Sequence, residues 1–196
     1  MPQLYLLRHA KSSWSTPLTG DHERPLAPRG EATAPLIAEE MKARGFVPDH
    51  ILCSTAKRAR QTLDLVLNKM AIKPPTCIEA KIYDAAPQDL IDLISQNAPN
   101  CQNLLLVGHN PAIHYAAAQM SLRGDDQALM KLEQKYPTAG LAVIDFDESK
   151  WHDGDVSNGY LTAFITPRTL VAGGPDAGDA AVDEVDTAGA TPLGAE

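Results

Sequence analysis

The sequence lacks any run of about 18 or more apolar residues, so no membrane-spanning helix is expected. Its start lacks a basic region, an apolar core and a small-residue cleavage site, so no secretory leader is expected. Only three cysteines occur, Cys53, Cys77 and Cys101, far apart and beside apolar residues. That spacing excludes a disulfide framework and a zinc knuckle. It predicts buried thiols in a reducing compartment, hence a cytoplasmic protein. From Val171 to Glu196 there is no basic and no aromatic residue, while Asp176, Asp179, Asp183, Glu184, Asp186 and Glu196 are acidic. A stretch this rich in Ala, Gly, Asp and Pro cannot bury enough apolar surface to offset its ordering entropy. Residues 171–196 are therefore expected to be a disordered acidic tail, and residues 1–170 a single folded domain. The tail carries six of the net −8 charges, leaving about −2 on the rest. It would repel phosphate backbones, so nucleic acid is not an expected partner. There is no P-loop, no internal repeat, and no carboxylate cluster at metal-ligand spacing.

What remains alternates between the two periodicities of secondary structure. Strands are expected at Gln3–Leu7, His50–Ser54, Thr76–Ala80 and Asn103–Gly108, with a closing pair at Gly140–Phe146 and Gly159–Ile165. Helices are expected at Pro28–Arg44, Ala56–Met70, Pro87–Gln96 and Pro111–Met120. Pro28 suits a first turn and Gly45 a helix stop. This alternation predicts a three-layer α/β/α sandwich with a largely parallel sheet.

In such sheets, ligands bind beyond the carboxyl ends of the strands. Arg8 and His9 follow the first strand. "STAKRARQT", with Arg58 and Arg60, follows the second, and His109 ends the most apolar strand. Each residue alone is weak, since a strand-end histidine is ordinarily structural and a helical arginine solvated. Their shared topological position points to phosphoryl transfer. Arginine forks match phosphate oxygens, and a neutral imidazole can attack phosphorus. Fixed cations stabilise the spread charge of the transferring group. A second imidazole can donate a hydrogen bond to the same group.

"LYLLRHAKSSW", "RPLAPRG", "ILCSTAKRARQT" and "LLLVGHNP" occur in the order found in the histidine phosphatase superfamily, which has the phosphoglycerate mutase-like fold. With "PTAGLAVIDF" and the short chain, the pattern resembles the SixA-type phosphohistidine phosphatases in particular, over roughly residues 3–166. The resemblance implies that His9 is the phosphorylated nucleophile and that Arg8, Arg58 and His109 surround the phosphoryl group. Arg24 would add a phosphate contact. No metal or cofactor is implied. The substrate would be a phosphohistidine-containing protein. The alternatives are a small-molecule phosphomonoesterase on the same fold and a non-catalytic phospho-binding protein.

Ala10 departs from the family's usual glycine after the histidine and narrows the loop's backbone freedom. Glu79 and Asp84, after the third strand, are the general-acid candidates, and Asp84 also suits a helix cap. SixA-type chemistry would need no acid, because imidazole is a far better leaving group than an alkoxide. Arg60 should point about 200° from Arg58 and lie at the surface. Asn110, Ser12, Ser13 and Ser15 could add hydrogen bonds, and Lys11 and Arg29 a positive rim.

Overall fold

The computed structural model describes residues 1–14 and 20–171. The strand-like segments pair into one seven-stranded sheet. In chain order the strands are β1 Gln3–Arg8, β2 His50–Ser54, β3 Thr76–Glu79, β4 Asn103–Gly108, β5 Arg123–Gly124, β6 Leu141–Asp145 and β7 Tyr160–Ile165. Their spatial order is β3-β2-β4-β1-β6-β7-β5. The β1, β2, β3 and β4 pairings are parallel, whereas β6 runs antiparallel to both β1 and β7. The helices are α1 Pro28–Ala43, α2 Lys57–Met70, α3 Pro87–Asn97, α4 Ala112–Met120, α5 Asp126–Gln134, α6 Glu148–His152 and α7 Pro167–Val171.

Alternation along the strands divides the core between two faces. Leu4, Leu6, Leu52, Leu104, Leu106 and Ile144 pack with Leu90, Ile94, Ile113 and Trp151. On the opposite face Tyr5, Leu7, Ile51, Leu105, Val107 and Val143 pack with Ile37, Met41, Leu63 and Val66. Each fully buried Leu or Ile contributes about 1.5–3 kcal/mol. β1 and β4 carry apolar residues toward both faces, which is why they lie near the sheet centre. The result is the expected three-layer α/β/α sandwich.

Expected helices and strands fall within a residue or two of the observed ones. β5, α5, α6 and α7 had no counterpart, being short or capped by single aspartates. Asp125 accepts from the Ala128 amide at the start of α5, and Asp147 from Ser149 and Lys150 at the start of α6. α7 reaches Val171, and the tail expected from there lies, past that residue, outside the described residues. One expectation is corrected. Cys53 is buried and Cys101 half-buried, but Cys77 is exposed, because β3 is the edge strand.

Two glycines answer local constraints. Gly45 follows α1 with φ +72°, the left-handed turn that favours glycine. Gly30, in the first turn of α1, lies so close to the loop after β1 that a Cβ would stand 2.2 Å from the Lys11 carbonyl oxygen. That carbonyl also accepts the Ala27 amide at 2.8 Å, so it cannot retreat without cost. Gly30→Ala should therefore lose about 1–3 kcal/mol of stability through overpacking. The check is urea unfolding, with a lower midpoint and an unchanged slope.

Candidate functional site

Strand register builds the site. Arg8 lies opposite Gly108, and Cys53 opposite Val107. The next residues, His9, His109 and Ser54, therefore meet at one carboxyl edge. The His9 amide donates to the Gly108 carbonyl at 3.1 Å, and the two imidazole centroids are 5.0 Å apart. The Ala10 amide donates to Thr62 Oγ1, which itself donates to the Arg58 carbonyl, tying the loop to α2. Ala10 is buried and is not among the residues with positive φ, so its methyl group brings no backbone strain.

His9 has a defined tautomer. Its Nδ1 lies 2.7 Å from the Ala10 carbonyl, and a carbonyl only accepts, so Nδ1 carries the proton. Nε2 is left with its lone pair, toward which Arg58 Nε donates at 3.3 Å. Burial, then the neighbouring His109, Arg58 and Arg8, hold the His9 pKa well below the ordinary imidazole value, against the raising effect of the Ala10 hydrogen bond. His109 is pushed down to about 4, first by burial and then by Arg58. His109 Nε2 lies 2.8 Å from Ser54 Oγ, which also accepts the Ala56 amide. With Ser54 donating its hydroxyl proton to Nε2, His109 Nδ1 becomes a donor. Among the described residues, that buried atom meets no hydrogen-bond partner.

The arginines are held from behind. Arg8 Nη1 donates to the Tyr136 carbonyl at 2.8 Å, and Asn110 Nδ2 to the same oxygen at 3.1 Å. Arg24 is buried, donating to Ser12 Oγ and the Ser13 carbonyl, with its guanidinium over the Trp14 ring. Arg58 Nη1 donates to the Asp21 carbonyl and Nη2 to the Asp21 carboxylate at 3.0 Å. Asp21 also accepts from Arg24 Nη1 at 2.7 Å and from the Tyr83 hydroxyl at 2.6 Å. Burial pushes its carboxyl up, but the Tyr83 and Arg24 hydrogen bonds and the two arginine charges outweigh it and hold it at about 2.

Arg8, His9, Arg58 and His109 thus converge, and Arg24 is joined to them through Asp21. Arg60 is exposed, two positions on from the buried Arg58. Lys11 and Arg29 are exposed, and Ser15 lies outside the described residues. The two acid candidates are directed elsewhere. Glu79 accepts the Lys81 amide across a 3-10 turn, and Asp84 is exposed in a shallow depression beside Lys81, Asp89 and Asp92. Asp84 is not the α3 cap either, since Ala86 stands at that position, its amide donating to Asp89 at 2.8 Å. Asp21, Tyr83, Ser54 and Tyr136 were not anticipated. Asp21 had one signal, its i,i+3 spacing from Arg24.

This arrangement suits a tetrahedral oxyanion resting on guanidinium forks and the His109 Nδ1 proton, with His9 Nε2 aimed at its central atom. Among the described residues, no group of three or more His, Cys, Asp or Glu side chains could hold a metal ion. The depressed imidazole pKa values have a thermodynamic consequence. Unfolding restores His109 to about 6.5, so the unfolded chain binds more protons below that pH. Stability should fall as pH drops from about 6.5 toward 4, with His109 accounting for about 2 kcal/mol by pH 5. Urea midpoints at pH 7 and pH 5 should show a larger loss for the parent than for His109→Asn. An imidazole NMR midpoint for His109 at 6 or above would overturn this account.

Similar proteins share the arrangement's framework. The family model for the histidine phosphatase superfamily (branch 1) matches residues 4–80. An uncharacterized protein of Mycobacterium tuberculosis is 37% identical over 164 residues, covering 83% of this chain and all of that one. The solved structure of a candidate phosphohistidine phosphatase SixA from Agrobacterium tumefaciens is 32% identical, with a TM-score of 0.70 over 85% of this chain and 99% of that one. The protein histidine phosphatase SixA solved with tungstate has a TM-score of 0.66 at 21% identity, over 86% and 99% of the two chains, a likeness of fold. With the Arg8-His9 strand end, the Arg58 helix and the His109 strand end gathered at one sheet edge, the chain belongs to the histidine phosphatase superfamily.

Proposed function

We propose that this phosphatase removes the phosphoryl group from phosphohistidine side chains of proteins, through a phosphohistidine intermediate on His9. The observation that carries the reading is the pairing of an uncharged nucleophile with an ionised carboxylate. His9 presents a lone pair at Nε2, while Asp21, bonded to two site arginines, is held at about 2 and has no proton to give. Glu79 and Asp84 lie away from the cluster. A site built this way suits a leaving group that needs no proton from the enzyme: a phosphohistidine ring protonated on its second nitrogen departs as neutral imidazole, whereas an alkoxide must be protonated as it leaves. The relatives that carry the SixA name point the same way.

In the first step, the His9 Nε2 lone pair forms a bond to phosphorus. The substrate ring enters protonated on its other nitrogen; its P–N bond breaks, the electron pair returns to the ring nitrogen, and neutral imidazole departs. Arg8, Arg24, Arg58 and His109 Nδ1 stabilise the equatorial oxygens. Water then attacks the phosphorus, its proton passing to the phosphate product, and His9 Nε2 recovers its pair. A reducing cytoplasm, which would keep Cys53, Cys77 and Cys101 as thiols, is the proposed setting.

The test compares a phosphohistidine-bearing carrier protein with sugar phosphates. The carrier should exceed the sugar phosphates by about a hundredfold or more in kcat/KM, the scale of general-acid catalysis that this site does without. Higher turnover of a sugar phosphate would favour a small-molecule phosphomonoesterase instead. Rapid quench without acid, followed by mass spectrometry, should place phosphate on His9, and His9→Ala should abolish turnover. Label confined to another residue would refute the assignment.

The arginines supply a separate check. Arg58→Ala removes a buried charge-assisted donor and should cost about 3 kcal/mol, roughly a hundredfold in rate. Arg60→Ala, at an exposed position, should stay within a few-fold of the parent. Equal losses would contradict the helix register.

A further inference from the structure

Asp21 is the unexpected member of the cluster, and bracing arginines does not exhaust its geometry. A carboxylate has about four acceptor sites. Arg24, Arg58 and Tyr83 occupy three, and the side chain is still 47% exposed. His9, by contrast, is 8% exposed and forms the floor. In-line displacement puts the leaving group opposite the attacking nitrogen, on the solvent side of phosphorus. Arg58 spans the two positions, its Nε edge facing His9 and its Nη end facing Asp21. The Asp21 charge also reaches His109, whose pKa it raises against the arginines. Tyr83 stands edge-on to His109 at 5.5 Å, and His22 edge-on to Tyr83 at 4.8 Å, so the same rim offers aromatic surface for a flat ring.

We propose that Asp21 is a specificity-determining residue whose carboxylate receives the protonated second nitrogen of the substrate's phosphorylated imidazole, on the rim beside Tyr83 and His22. This rests on the phosphohistidine reading and names the group that would enforce it. A phosphoimidazolium carries a positive charge on its leaving ring. When its P–N bond breaks, the pair returns to the ring nitrogen and a neutral imidazole departs, keeping the N–H it had on entry. No proton crosses from the enzyme. An alkyl or aryl phosphate dianion brings no such positive charge, and its leaving oxygen would meet the carboxylate as a repulsive neighbour.

The test is the ratio of kcat/KM for a phosphohistidine peptide to that for 4-nitrophenyl phosphate. In Asp21→Asn this ratio should fall tenfold or more. Tyr83→Phe, which removes a donor but keeps the carboxylate, should hold the ratio within a few-fold of the parent. Inhibition by inorganic phosphate is the independent readout, and should be as strong or stronger in Asp21→Asn because a repelling charge has gone. If Asp21 only braces the arginines, both substrates lose in parallel and phosphate binds more weakly; that result overturns the proposal even if both activities become small. A parent enzyme that ignores the phosphohistidine peptide would overturn the function reading, and this inference with it. A parent active on the peptide, with parallel losses in the variant, would overturn this inference alone.

Discussion

Two imidazoles are buried without charge next to guanidinium groups, and much of the surrounding structure serves that condition. Burial and the arginine charges each disfavour a protonated His9 or His109. Such a site would otherwise be a cluster of like charges with little to hold it together. Asp21 partly offsets those charges from the rim. The Tyr136 and Asp21 backbone carbonyls add dipoles without adding net charge. The site is thus positive enough to attract an anion, yet His9 keeps a lone pair at neutral pH.

The gathering of the candidate residues at one sheet edge was legible because it follows from backbone topology. Parallel strands put their carboxyl ends together, so residues after "LYLL", "HILCS" and "NLLLV" had to share an edge, whatever the helices did. Arg58 and Arg60 were separable by helix phase alone. Arg24 could be placed only through the family resemblance, since the loop carrying it has no periodicity. Asp21 shows where the reading stopped. Its partners are 3, 37 and 62 residues away, and nothing local distinguishes it from an ordinary turn aspartate. Glu79 and Asp84 were misdirected by the opposite effect. They follow a strand at the correct edge, but the 3-10 turn after β3 sends one carboxylate to a backbone amide and the other to solvent.

The fold shows the same division. Long apolar strands and amphipathic helices were evident from pattern, whereas α5 and α6 depend on single capping aspartates and β5 is two residues long. The antiparallel pairing of β6 with the strand that follows it has a geometric origin. Its neighbour β7 follows after only a short excursion through α6, which suits a hairpin-like return rather than a crossover.

Tyr136 ties the working edge to the middle of the sheet. Its carbonyl holds Arg8 and Asn110, while its buried hydroxyl donates to the Leu6 carbonyl on β1 and accepts the Ala142 amide on β6. One side chain therefore spans the junction where strand direction reverses and anchors the floor of the candidate site. A displacement of Tyr136 that frees Arg8 also disturbs the hydroxyl's bonds to two central strands, which belong to the most stable cooperative unit of such a domain. The rim, built from a short turn and half-buried rings, has no such tie to the central strands. Over evolutionary time, descendants of this architecture are free to exchange rim residues and acquire new substrates while the floor stays as it is.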